Sequence, residues 1–127
     1  MLSNQLKADF AYAIPVLASK DVKQSVRFFE DLGGERGFIT EDSRYGGVLF
    51  GTAELHFYLT AESLLLENSI CRVQMRAVDA LYEHCLGMGV VHPNGHIENK
   101  AYGYREFSVL DHSGVCYTFA EYLGPRV

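Results

Sequence analysis

Apolar residues along this chain recur in two rhythms that alternate twice. In "DVKQSVRFFEDLG" they return every three or four positions, so Val22, Val26, Phe29 and Leu32 share one side of a predicted helix. Asp21 stands where an N-cap belongs, and Gly33 and Gly34 stop the segment. Upstream, "YAIPVLAS" predicts a strand containing Pro15. Proline donates no ladder hydrogen bond, so this strand is expected at a sheet edge or bent at Pro15. Downstream, "YGGVLFGTAELHFYLT" reads as a hairpin around Gly51-Thr52-Ala53. The second half repeats the order. "ICRVQMRA" is a strand, and "VDALYEHCLGMG" is a helix with Val78, Leu81, Cys85 and Met88 on one side. "HPNGHIENK" is a loop by composition, and "YGYREFSVLDHSGVCYTFAEY" is a hairpin turning at Asp111-His112-Ser113-Gly114. Such self-similarity marks an internal duplication. One domain over residues 1–127 is expected, with module one about 10–60, a linker about 61–69 and module two about 70–122.

Strand alternation assigns the faces. If Asp-His-Ser-Gly is a type I turn followed by a left-handed glycine, position 108 pairs with 118 and 106 with 120. Phe107, Val109, Val115, Tyr117 and Phe119 then form an apolar face, and Glu106, Ser108, Cys116 and Thr118 the opposite one. In the first hairpin Leu55, Phe57 and Leu59 point to the core, and Glu54, His56 and Tyr58 point away. Each half is expected to be a curved sheet with helices on its convex side and a polar-aromatic lining on its concave side, where a ligand would bind.

Composition adds limits. The formal charge of −5 argues against nucleic acid and anionic membrane surfaces as partners and suits a cationic ligand. The start "MLSNQLKADF" lacks the apolar core of a signal peptide, and no run has the length of a membrane span. Cys71, Cys85 and Cys116 form no Cys-x-x-Cys pair and read as buried thiols, which points to a reducing, cytoplasmic location. His92 and His96 are separated by Pro93 and Gly95 and read as loop residues. Ser113 beside His112 lacks the orienting acid and oxyanion donors of acyl transfer, and no catalytic residue is assigned.

The duplicated strand-helix-strand-strand-strand pattern resembles the vicinal oxygen chelate superfamily, which holds glyoxalase I, extradiol dioxygenases and the bleomycin resistance proteins. "AIPVLASKDVKQSVRFFEDLGG", "GTAELHFY", "CRVQMRAVDALYEHCLGMGV" and "YGYREFSVLDHSGVCYTFAE" carry the resemblance, over roughly residues 12 to 122. Where family members usually have tryptophan and proline, this chain has Tyr102 and His112. The resemblance implies an α+β fold of two tandem βαβββ modules forming a curved mixed β-sheet. It also implies a homodimer that exchanges its N-terminal strand at Pro15. Enzymes of the superfamily hold a divalent metal at positions that fall on Ile14, His56, a site near Val73, and Thr118. Of these only His56 ligates strongly, and about three protein ligands are needed, so neither metal nor other cofactor is expected.

Binding is therefore favoured over catalysis. The candidate lining is Phe38, Tyr45, His56, Tyr58, Tyr102, Tyr104, Glu106, Ser108 and Thr118. Flat rings suit stacking on a heteroaromatic ligand, and Glu106 would attract a cationic tail. The resemblance implies aromatic residues lining the groove near Phe38, Tyr45 and Tyr102; an acidic residue that some resistance proteins carry just before the Phe38 position is Gly37 here. Three functions follow. The first is a dimeric binding protein that sequesters a bulky aromatic molecule of the bleomycin type. The second is a metal-dependent lyase, dioxygenase or thiol transferase built around His56. The third is a carrier or sensor for an endogenous metabolite.

Overall fold

Asp21 opens the first helix as an N-cap. Its Oδ1 accepts from the Gln24 N–H at 3.2 Å, meeting one of the donors left free at a helix start. That helix, α1 (Val22–Asp31), buries Val22, Val26, Phe28 and Phe29. Around it lie β1 (Val16–Ser19), β2 (Glu35–Ile39), β3 (Tyr45–Phe50) and β4 (Ala53–Leu59). The second module contributes β5 (Ile70–Gln74), α3 (Val78–Met88), β6 (Glu98–Asn99), β7 (Tyr104–Leu110) and β8 (Cys116–Tyr122), with α2 (Ser63–Asn68) between the modules. These elements are those of a computed structural model describing residues 7–125. The leader expectation rests partly on residues 1–6, which lie outside the described residues.

The strands form two four-stranded mixed sheets in the orders β1-β4-β3-β2 and β5-β8-β7-β6. In each, the module's first strand pairs parallel with its last, and the other pairs are antiparallel. Four local differences from the sequence pattern stand out. β1 begins at Val16, so Pro15 lies just outside the strand rather than within it, although the strand is at a sheet edge as expected. β2, the strand after the helix that the βαβββ arrangement implies but the apolar pattern does not place, has a register shift between Arg36 and Phe38, a bulge that breaks its alternation. The connecting segment winds into α2, and the polar loop contains β6.

The second hairpin has the register that its turn demands: Ser108 faces Thr118, and Glu106 faces Ala120. Gly114 takes φ +82°, a conformation that side chains other than glycine's rarely adopt. Asp111 holds this turn from inside. Its Oδ1 accepts from the N–H groups of Ser113 (2.8 Å) and Val115 (3.0 Å), and its Oδ2 from the Tyr117 hydroxyl (3.1 Å). Burial, together with the nearby Asp111 carboxylate, keeps the Tyr117 phenol well above its ordinary pKa.

One core serves both modules. Phe29 packs against Phe57 of its own sheet at 5.9 Å and against Tyr117 of the other at 4.9 Å between ring centroids. Phe50 meets Phe119 in the same way at 6.0 Å. The Lys20 N–H donates to Ser113 Oγ at 3.0 Å, and His84 Nε2 donates to the Asp31 carbonyl at 2.6 Å. Because the apolar faces of both sheets line this core, their other faces point away from it. Cys85 is fully buried there, whereas Cys71 and Cys116 are only half-buried, which corrects the expectation of three buried thiols.

Candidate functional site

Register across β1, β4, β3 and β2 brings one row of side chains onto the outward face of the first sheet. Val16 lies beside His56, His56 beside Gly47, and Gly47 beside Phe38. The next row carries Ala18, Tyr58 and Tyr45. Gly47 leaves room for the His56 ring, which Phe38 and Tyr45 both meet edge-on at 5.2 and 5.3 Å. A chain of hydrogen bonds runs through the ring: the Tyr45 hydroxyl to His56 Nδ1 at 2.7 Å, and His56 Nε2 to Glu54 Oε2 at 2.7 Å. A carboxylate only accepts, so Nε2 donates to Glu54, and in the neutral ring Nδ1 is then the acceptor for the tyrosine hydroxyl. The Tyr12 hydroxyl adds a longer bond to Glu54 Oε1, 3.3 Å. His56 is thus fixed in tautomer and orientation.

The second sheet builds a different cluster by the same means. Arg72, Thr118 and Ser108 form one row across β5, β8 and β7; Gln74, Ala120 and Glu106 form the next. The Ser108 and Thr118 hydroxyls bond each other at 2.8 Å. Glu106 is buried, and its Oε1 accepts from Arg72 Nη2 at 2.9 Å and from the Tyr102 hydroxyl at 2.7 Å. Desolvation pushes the Glu106 pKa up; the bonds from Arg72 and Tyr102 pull it down by more, so it lies below the ordinary glutamate value. The guanidinium carbon of Arg72 sits 4.9 Å from the Tyr104 ring centroid and 5.7 Å from that of Tyr102. Gln74 Nε2 donates to the Tyr104 hydroxyl at 2.6 Å and steadies that ring.

The nine candidate lining residues therefore fall into two groups. Phe38, Tyr45, His56 and Tyr58 belong to the first sheet, and Tyr102, Tyr104, Glu106, Ser108 and Thr118 to the second. Among the described residues, no hydrogen bond, ion pair or ring contact joins the two groups. Glu106 is not a free carboxylate awaiting a ligand cation, since Arg72 already meets its charge. The metal positions implied by the resemblance also resolve. Val73 turns into the core at 7% exposure, and its neighbour Arg72 takes the outward place beside Thr118. Ile14, His56, Arg72 and Thr118 offer one strong ligand where about three are needed, so these residues do not fit a divalent catalytic ion. Among the described residues, no group of three or more His, Cys, Asp or Glu side chains comes together to hold a metal.

Val16, Leu49, Arg72 and Gln74 also lie on these faces and were not anticipated. Strand parity alone could have found Leu49, which faces Glu54 two residues along from Gly47. His92 and His96 stay in the loop, where Asn94 N–H donates to His92 Nδ1 and Tyr82 bonds His96.

No family model matches the chain. A curated bleomycin resistance protein of Geobacillus stearothermophilus is 25% identical over 78% of this chain and 87% of its own. The crystal structure of a bleomycin-binding protein from Streptomyces verticillus, in complex with copper(II)-bleomycin, is 28% identical; the match covers 88% of this chain and 96% of that one, with a TM-score of 0.71. A glyoxalase-related enzyme from Clostridium phytofermentans shares the fold at 19% identity, covering 91% and 98% of the two chains with a TM-score of 0.71. With its two βαβββ modules, the chain has the α+β fold of the bleomycin resistance and glyoxalase-related proteins to which it is similar.

Proposed function

We propose that this protein, acting as one unit over residues 1–127, sequesters a bulky aromatic small molecule in clefts completed by a second copy of the chain, without catalysis. The observation that carries this reading is the pair of outward aromatic faces, on sheets whose implied metal positions hold Ile14, Arg72 and Thr118 beside a single histidine, His56. Phe38 and Tyr45 stack at 6.0 Å on one sheet, and Tyr102 stands 59% exposed on the other. Both faces are open, so a partner is needed to enclose a ligand. Apolar side chains left in solvent, Val16 and Phe38 among them, suit burial against that partner. Exchange of β1 between copies at Pro15 would reuse the Val16–His56 register and the bond from the His56 N–H to the Pro15 carbonyl. Capture needs no nucleophile, base or ion. Relatives named for bleomycin resistance and bleomycin binding support a ligand of that kind.

Calorimetric titration with metal-free and copper(II)-loaded bleomycin at two salt concentrations tests the reading, with sedimentation giving the assembly state. One ligand per chain at micromolar or tighter affinity is expected, weakening when Tyr45 or Tyr102 becomes alanine. A monomer that gives no binding heat with either form would overturn it.

A further inference from the structure

We propose that Arg72 fills the aromatic-acidic cage of the second sheet with the protein's own cation, so that this half of the cleft selects the anionic or acceptor-rich end of a ligand. The inference rests on the sequestration reading above and adds the chemistry recognised there. Aromatic faces flanking a carboxylate are how proteins recognise a ligand cation. Tyr102, Tyr104 and Glu106 make such a set, yet the Arg72 guanidinium already lies over Tyr104 at 4.9 Å and donates to Glu106 at 2.9 Å. A ligand ammonium would have to expel it.

What remains open is the opposite polarity. A guanidinium has five N–H donors, and the bond to Glu106 uses one of them. The Arg72 side chain is 41% exposed while that of Glu106 is 9% exposed, so the acid is shielded and the cation is the more accessible member of the pair. Arg72 is also held in place, since Glu106, Tyr102 and Gln74 fix the groups around it. A prearranged planar donor fork suits a carboxylate, which it can grip through two parallel bonds. The Ser108–Thr118 hydroxyl pair in the adjoining row extends the polar floor. An Arg–Glu pair that merely staples the sheet would affect stability and leave ligand charge preference untouched.

Two probes with one ring and opposite charge decide the matter: 1-naphthoate and 1-naphthylmethylammonium, titrated into the full-length protein. NMR signals of the Tyr102 and Tyr104 rings and the Arg72 Nε–H report binding at this sheet. Naphthoate is expected to bind roughly tenfold more tightly, the scale of a charge-assisted hydrogen bond. Arg72→Gln should abolish or invert that preference by freeing Glu106 and the rings. If Arg72→Gln fails to fold, Arg72→Lys serves, keeping the sign of the preference while shrinking it. Equal binding of both probes, tighter binding of the ammonium, or a preference unchanged in the variant overturns the assignment to Arg72 and leaves sequestration standing. Silence of every outward-face signal with both probes overturns the two together. Naphthoate shifts at Arg72 with no bleomycin binding would instead uphold Arg72 and remove the bleomycin-type ligand.

Discussion

Adding one methyl group at Gly47 should dismantle the His56 cluster. An ideal Cβ there would lie 2.6 Å from His56 Cδ2, 3.0 Å from His56 Nε2 and 2.9 Å from Phe38 Cε1. Carbon atoms rest comfortably at about 3.5–4.0 Å, so the imidazole must retreat by roughly 1 Å. Phe38 is half-exposed and can give way, but His56 is pinned by two 2.7 Å hydrogen bonds, to Tyr45 and Glu54. Gly47 has no positive φ, so the backbone adds no strain. Overpacking costs about 1–3 kcal/mol. Two lost hydrogen bonds would add about 1 kcal/mol each if fully buried, but partial exposure lets water recover much of that. Gly47→Ala should therefore lower unfolding free energy by about 2 kcal/mol. Urea unfolding of Gly47→Ala, His56→Ala and the double variant measures this. Removing the ring makes room for the methyl, so the double variant should be less destabilised than the sum by about 1–2 kcal/mol. A Gly47→Ala protein as stable as the wild type, or strictly additive effects, would refute the packing described around His56.

Three further outcomes follow from the structure. Asp111→Ala should cost about 2–4 kcal/mol, because two backbone N–H groups and the buried Tyr117 hydroxyl lose their acceptor. Chemical denaturation within 0.5 kcal/mol of wild type, about the noise of such comparisons, would contradict that accounting. Glu106 has its pKa depressed in the folded protein, with desolvation opposed and outweighed by Arg72 and Tyr102. Its stabilisation is complete above the ordinary glutamate pKa and is lost as pH falls through the depressed folded value. Glu106→Gln should therefore flatten the acid limb of a Tm-versus-pH series, and an unchanged limb would count against the pair. Burial pushes the Cys85 thiol up to about 11, so a thiolate-directed reagent should label Cys85 only on unfolding. Mass spectrometry showing rapid native labelling at Cys85 would disprove its burial.

Where local chemistry dictated structure, the chain could be read directly. Asp-His-Ser-Gly set the Ser108–Thr118 register because Gly114 alone in that turn tolerates positive φ. Val22, Val26, Phe29 and Leu32 announced their helix face by spacing, and all four are buried. β2 was hidden for the opposite reason: the bulge after Arg36 spoils the period of two. Arg72 was hidden by expectation. The resemblance implies a metal-ligand position near Val73, whereas strand parity there turns Val73 inward and Arg72 outward. The partnership of Arg72 with Glu106 spans 34 positions, and no local pattern signals a pairing at that range.

The ring of Phe29 against Tyr117, with the Lys20–Ser113 bond beside it, has a consequence for ancestry. A polypeptide carrying only one repeat would expose whichever of these rings it retained, and would need a twin to cover it. The present chain thus behaves as two such twins fused into one, their mating surface now internal. Severing the chain between the repeats should yield fragments that copurify when coexpressed, and fragments that stay apart would speak against a fused pair.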